Sequence, residues 1–560
     1  MDETTPLLQV PSQSSSYISE NEIVSYVQQR RLSIASSGTG RIHRVFSIPS
    51  YEPILEPARS DDSSISHSIY DIVSAHSEIG PEPITTVRNE VVALIRSSAP
   101  LVITFLLQYS LTVASVFSVG RIGSTELAAV SLSSMTANIS GYAIIQGNST
   151  CLDTLCAQAY GRKDFNLVGV HFMRCNWLLL LLCLPIMVFW VWGVEPLLFR
   201  IVGDESREVC ILAAKYLRIL SMGLPGFILF ENGKHFLQSQ GIFESSTYVL
   251  FICAPLNAFL NYLLVWDPKI GLGFIGAPIS VVITNWMMFI LLYAYIFLIN
   301  GKECWPSQSP IHRIHWTRWE KMIELAIPGV LMVEAEWLAF EIITFSAAKL
   351  GTKVLAAQSI ISTTCVLLYQ IPFALSIAAS TRVAWFVGAA SEKTARTATT
   401  AALYTALTFG VMNCSILFFF RWKLASLYTN EKDVITLAAK VLIVGSIYQI
   451  NDFISCATAG VLRGQGRQII GGITNVVGYY LLALPCAFVF AFKLKLGLLG
   501  LWFGMIIALM FVSLVQLYFV LISDWEQIIR DSISEGIAED GNLHIEALPV
   551  LPSMSNSVIN

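Results

Sequence analysis

The sequence predicts an all-α polytopic membrane protein: twelve transmembrane helices in two six-helix lobes, related as parallel pseudo-twofold repeats, with disordered cytosolic tails. Three observations carry that expectation. First, 54% of the 560 residues are hydrophobic and only 13% are charged, at a mean hydropathy of +0.62. Soluble domains carry about 25% charged residues, a gap too large for a big core to explain. Second, apolar runs of about 18 residues or more, the length that crosses about 30 Å of hydrocarbon, recur along the chain. Third, the second half of the chain repeats the first.

The chain opens with residues 1–87, which are rich in Ser, Pro and acidic residues (VPSQSSSYISENE, SDDSSISHS) and lack helical apolar periodicity. Such a composition buries too little surface to offset ordering entropy, so we expect a disordered cytosolic tail. It lacks an apolar h-region, so no cleavable signal peptide is expected. Residues 88–310 form the first lobe with its connecting loop, and its spans fall at 99–120, 126–147, 171–193, 209–230, 246–266 and 274–299. Residues 311–523 form the second lobe, with spans at 325–348, 354–378, 397–420, 434–458, 470–492 and 497–522. Several spans contain Gly, Pro or Asn, as transporter helices often do. Residues 524–560 start with a short amphipathic remnant, WEQIIRDSISEGI, and end as a polar cytosolic tail.

The repeat is read from aligned residues. Pro100 matches Pro328, Phe117-Ser118 matches Phe345-Ser346, and Gly123 matches Gly351. Leu127-Ala128-Ala129 matches Leu355-Ala356-Ala357, and Ser131 matches Ser359, all at one offset, 328 − 100 = 228. Further on, LQSQG (237–241) matches LRGQG (462–466), and KIGLG (269–273) matches KLGLL (495–499). Each half has an even number of spans, so the halves insert in the same orientation, about an axis along the membrane normal. Arg30, Arg31, Arg41, Arg44, Arg88 and Arg96 tip the charge balance towards a cytosolic N-terminus.

Composition also excludes several classes. The net charge of −4 gives no hint of nucleic-acid binding, and eleven scattered cysteines with no CxxC pair argue against a disulfide framework or a zinc site. No cofactor or metal is expected. The eight histidines lie in tails, loops or span ends, so no catalytic constellation sits at membrane depth and the chain is not read as an enzyme.

One stretch breaks the apolar pattern. LMVEAEWLAFE (331–341) places Glu334, Glu336 and Glu341 inside the seventh span. Glu336 lies about eleven residues into that span, so at 1.5 Å per residue it is about 16 Å deep, near the bilayer centre. A charged carboxylate there costs at least about 2.5–3.5 kcal/mol on insertion scales. Facing a cleft, such a group could exchange a proton for a cation, because a low-dielectric site favours the neutral or paired form of a carboxylic acid. Glu334 and Glu341 are seven residues apart and share a helix face, whereas Glu336 points well away from both. A straight helix cannot aim all three at one point.

NSTCLDTLCAQAYGRKD (148–164) and IPFALSIAASTRVAWFVGAASEK (371–393) occupy corresponding places in the two halves. With LMVEAEWLAFE, LRGQGRQIIGGITNVVGYYLLALP (462–485) and LGLWFG (499–504), they closely resemble the multidrug and toxic compound extrusion (MATE) family, in its eukaryotic branch. The resemblance covers about residues 90–522. It implies two six-helix lobes around a cleft that opens alternately to the two sides of the membrane. It also implies antiport of an organic, often cationic, compound against protons, or sodium in some members. In the eukaryotic pattern LMxxxEWxxYE, the functional glutamates fall on Glu336 and Glu341, with Phe340 replacing the usual Tyr, and Glu334 lies outside it. Asp452 stands where the family usually has Glu, with a shorter reach towards the same cavity. Thr363 stands where related transporters of organic cations can carry Glu.

Other candidates follow from position. Trp337 and Tyr369 could stack a flat or cationic substrate or serve as packing aromatics. Gln108 and Asn138 would line the first lobe or act as interhelical hydrogen-bond glue. Asp153 is assigned a structural role, as a cap or paired with Arg162 or Lys163. MDETTPLLQ fits the acidic dileucine form through Glu3, Leu7 and Leu8, a signal read by sorting adaptors. It points to a vacuolar or lysosomal membrane, with the plasma membrane as the alternative. The expected partners are therefore a small organic substrate, protons before sodium, membrane lipid and a sorting adaptor, on a monomer. The competing reading is a flippase for lipids or lipid-linked sugars with the same twelve-helix fold. That activity suits an Arg- or Lys-rich cavity.

Overall fold

Among the described residues, twelve long helices follow one another in the order the apolar runs predict, and a thirteenth comes after them. The computed structural model describes residues 85–202, 207–309 and 312–547; nearly all of the 1–87 tail, with Glu3, Leu7 and Leu8, lies outside them. Helix α1 (Val87–Gly120) starts at Thr86, whose side chain accepts from the Asn89 backbone N–H, a capping role suited to Thr. Helix α2 is made of Ser124–Ala137, a π-helical turn Asn138–Tyr142, then Ala143–Ser149 and Cys151–Gly161. Helices α3 (Phe165–Ile201), α4 (Arg207–Ser239), α5 (Ser245–Trp266) and α6 (Gly273–Leu298) complete the first lobe. The second lobe comprises α7 (Glu320–Ala348), α8 (Thr352–Gly388), α9 (Glu392–Tyr428), α10 (Lys432–Gly464), α11 (Gln468–Lys493) and α12 (Leu498–Leu521). Among the described residues, ten helices are long and apolar enough to cross a membrane. The other two are α2, whose Ser, Thr, Asn and Gln dilute its apolar character, and α7, which carries the three glutamates.

The repeat is visible at matching places. Pro100 and Pro328 lie inside α1 and α7, and Gly123 and Gly351 precede the first turns of α2 and α8. Gly241 and Gly466, just past the ends of α4 and α10, have φ of 80° and 77°. That left-handed backbone favours glycine and explains the shared final residue of LQSQG and LRGQG.

Several helices overrun the expected spans. Helix α4 reaches Ser239 where 230 was expected, and α8 reaches Gly388 where 378 was expected. In the α4 overrun Glu231 pairs with Lys234 and His235 with Asp153, and in the α8 overrun Arg382 pairs with Glu90, so the helix continues after the apolar run stops. One consequence is that His235, expected at a span end or loop, is buried within α4. Past α12, the remnant WEQIIRDSISEGI begins α13 (Trp525–Ala547), and its Trp525 and Ile528 pack in an apolar cluster with Leu94, Phe386 and Val461.

The lobes meet at the end that carries Val87 and Leu521, here the terminal face. Helices α2 and α7 cross so closely that a Cβ added at Gly147 would stand 2.4 Å from Val330 Cα. Nearby, a Cβ at Gly388 of α8 would stand 2.1 Å from the Gln158 carbonyl of α2. Thr154 Oγ1 donates to the Arg463 carbonyl at 2.6 Å and Gln158 Nε2 to the Gly464 carbonyl at 3.1 Å. Asp153 pairs with His235 at 2.6 Å and faces Arg463 of the other lobe at 3.8 Å. Arg382 of α8 donates Nε and Nη2 to the two oxygens of Glu90 on α1, at 2.9 and 2.5 Å. This two-pronged pair should show a coupling of about 0.5–3 kcal/mol in a double-mutant cycle of Glu90→Ala and Arg382→Ala, read by unfolding of the purified protein. Strictly additive losses would show that the pair adds nothing to stability.

Candidate functional site

A cavity of about 470 Å³ lies between the lobes and is lined by both. On α7 the lining residues are Val333, Glu336, Trp337, Phe340 and Glu341, spaced three, four, seven and eight residues from the first. That spacing traces one broad helix face. At about 100° per residue, Glu336 and Glu341 are about 140° apart and sit at its two edges. Glu334 shares its direction with Glu341 but is seven residues earlier, about 10 Å along the axis. It does not line the cavity; it is half-buried, and its Oε2 has no hydrogen-bond partner among the described residues.

Asp452 of α10 reaches the same cavity despite its short side chain. It is 1% exposed, and its Oδ2 has no hydrogen-bond partner among the described residues. It and Glu336 therefore bring two carboxylates, from two helices, to one cavity. Two like charges in a low-dielectric pocket are relieved when a proton or a cation joins them. Behind the cavity wall, Tyr479 is buried in one apolar cluster with Tyr448 and Trp502. Tyr479 belongs to a π-helical turn of α11, Val477–Ala483, and such turns often mark functional sites. Trp502 holds this wall from behind: it donates Nε1 to Gln358 Oε1 at 2.8 Å and meets Phe340 and Tyr448 edge-on.

Trp337 and Tyr369 both line the cavity, and Tyr369 stacks on Phe373 with ring centroids 5.6 Å apart. Phe373 in turn packs on Phe105 of the first lobe at 5.0 Å. Thr363 is not on the wall; Val366, Tyr369 and Gln370 of the same helix are. The first lobe contributes Gln108 and Asn138, together with Ser115, Gln146 and Asn285, which sequence reasoning did not single out. Gln108 also bonds between helices, its Nε2 donating to Glu231 Oε1 at 2.7 Å. Asn138 opens the π-helical turn of α2. Among the described residues, the lining therefore has Glu336, Glu341 and Asp452 on one side, amides and hydroxyls on the other, and no Lys or Arg.

Two homologous six-helix lobes around a shared cavity that carries carboxylates and amides define a membrane transporter. The MatE family matches residues 100–263 and 328–489, two segments whose starts are 328 − 100 = 228 residues apart. An uncharacterized transporter of Saccharomyces cerevisiae is 43% identical over 454 residues, covering 81% of this chain and 64% of that protein. Multidrug and toxin extrusion protein 1 of Homo sapiens is 31% identical over 449 residues, covering 79% and 76%. The crystal structure of the eukaryotic MATE transporter AtDTX14 superposes with a TM-score of 0.74 at 26% identity, covering 80% of this chain and 99% of that one. The chain belongs to the MATE family of transporters, in its eukaryotic branch.

Proposed function

We propose that this transporter is a proton-coupled antiporter that moves organic cations and xenobiotics out of the cytosol by alternating access. The observation that carries the reading is the charge of the cavity: among the described residues, three lining carboxylates, from two helices, and no basic side chain. The human relative's name, multidrug and toxin extrusion protein, supports the substrate class. Glu336 and Asp452 form the exchange centre, with Glu341 at the other edge of the face. A proton or the cationic group of a substrate neutralises the pair, and each displaces the other. Trp337 and Tyr369 present rings to a flat or cationic substrate, which favours binding when the cation is desolvated. Gln108 and Asn138 offer hydrogen bonds to its polar groups. On this reading the terminal face is the cytosolic side, and its tight packing closes that side of the cycle. A cavity for phosphate-bearing lipids would carry basic residues, so the charge pattern speaks against the flippase alternative.

The test is uptake of a fluorescent organic cation into proteoliposomes under an imposed pH gradient, and then under a sodium gradient. Uptake driven by the pH gradient supports the reading; uptake driven only by sodium changes the coupling ion. Movement of a fluorescent lipid without either gradient would return the flippase.

We further place the protein in a vacuolar or lysosomal membrane on the strength of Glu3, Leu7 and Leu8, where a lumen rich in protons would drive substrate inward. Replacing Leu7→Ala and Leu8→Ala together should shift most of a fluorescently tagged protein to the plasma membrane. Unchanged localisation would remove the sorting signal from the account.

A further inference from the structure

The first-lobe wall of the cavity is uncharged, yet a complete ion pair lies one side chain behind it. Glu231 and Lys234 are three residues apart on α4, with oxygen and nitrogen 2.6 Å apart and side chains 1% and 2% exposed. Gln108, a lining residue, donates to the other Glu231 oxygen. The Lys234 ammonium stands 5.1 Å from the ring centre of Phe105, also a lining residue, and 6.0 Å from that of Phe230. On another side of α4, Asn232 takes its partners from Ser149 and Asn176, which are neutral. The next ionisable group along the helix, His235, is engaged by Asp153.

Burying two charges is expensive, and their attraction roughly repays the desolvation, so such a pair is weak evidence for stability. Ionisable residues in membrane segments are kept chiefly where their charge is used. Here the use follows from position. Paired, the two charges cancel at the cavity. Unpaired, Lys234 would present a full positive charge to any cation bound against Phe105 and Gln108.

Resting on the cation-antiport reading above, the geometry points to Glu231 as a determinant of charge selectivity. By holding Lys234 in a neutral pair behind Phe105 and Gln108, it keeps the first-lobe wall from repelling a cationic substrate. The acidic second lobe attracts the cation, and the masked lysine lets it approach the opposite wall. The class of substrate this favours is a flat organic cation long enough to touch both lobes. An anionic substrate would gain from the same wall only if Glu231 were neutralised.

Binding of ethidium, a flat organic cation, and of an uncharged phenanthridine of the same ring system, to the full-length protein in liposomes tests this through ligand fluorescence. Glu231→Gln retains a hydrogen-bonding side chain for Gln108 and removes only the charge. It should weaken ethidium about tenfold, the scale set by unit charges about 10 Å apart at an effective dielectric constant of about 20. The uncharged ligand should stay within about twofold. Lys234→Met should act in the opposite direction, tightening ethidium about tenfold by the same reasoning. The double variant E231Q/K234M should bind ethidium within about twofold of wild type, since the net charge is restored. Opposite signs from two substitutions in one pair cannot come from a general loss of structure. Equal weakening of both ligands, silence of both single variants, or no recovery in the double variant overturns the proposal and leaves the antiport reading intact. If ethidium fails to bind wild type, or binds it and Glu336→Gln alike, the antiport reading falls and this proposal with it.

Discussion

Glu336→Gln should fold and reach its membrane, yet lose pH-driven cation uptake by about tenfold to a hundredfold. The substitution preserves the volume and polarity of a residue on the cavity face of α7 and removes the only two things an exchange site needs, a charge and a releasable proton. A bond to a charged group is worth about 1.5–3 kcal/mol, and about 1.4 kcal/mol is a factor of ten. Asp452 would remain opposite, so residual binding of cation is expected without coupling to the gradient. The readout separates the two: counterflow of labelled for unlabelled cation, with no pH difference, should fall less than gradient-driven uptake. Wild-type rates for gradient-driven uptake in the variant would remove Glu336 from the exchange centre and move attention to Glu341.

How much of this was legible in the chain depended on contrast. Glu336, Glu341 and Asp452 stand out because each interrupts an apolar run, and the structure brings all three to one cavity. The repeat was legible because residues with demanding backbones, Pro100 with Pro328 and Gly123 with Gly351, keep their spacing through a fold of two lobes. By contrast, Glu231 and Lys234 hid in plain view. Their charges ended the apolar run at 230, and only a partner within the protein, three residues away, allows the helix to continue. Glu334 shows the limit of the helical wheel, which gives direction but not depth. Asn285, Gln146 and Ser115 carry no signal alone, since three separate helices must converge before their polarity faces a shared space. The π-helical turn that carries Tyr479 is likewise set by packing, as its sequence, VGYYLLA, reads as ordinary helix.

Gly147→Ala should abolish most turnover while leaving cavity binding within about twofold, because it obstructs closure rather than the site. Gly147 faces Val330 across the α2–α7 crossing, where an added Cβ would stand 2.4 Å from Val330 Cα and 2.8 Å from its backbone N. Gly329, on the other helix, is pressed just as closely on the Gly147 carbonyl. Backbone atoms on both sides cannot swing away as a side-chain tip could, so the helices must separate. Forcing extra volume into a tight contact costs about 1–3 kcal/mol. A penalty on one arrangement alone shifts the equilibrium between the two faces about fivefold to a hundredfold or more. A cycle that must pass through the arrangement closed at the terminal face slows by a similar factor. Gly445→Ala is the control: it is also buried in a helix, but its added Cβ would meet only side-chain atoms at 3.9 and 4.0 Å, an ordinary contact. The expected pattern is slow uptake with intact ethidium binding for Gly147→Ala and wild-type behaviour for Gly445→Ala. Full turnover in Gly147→Ala would show that the tight glycine crossing is not an obligatory stage of transport, and that access alternates by separating the lobes somewhere other than α2 and α7.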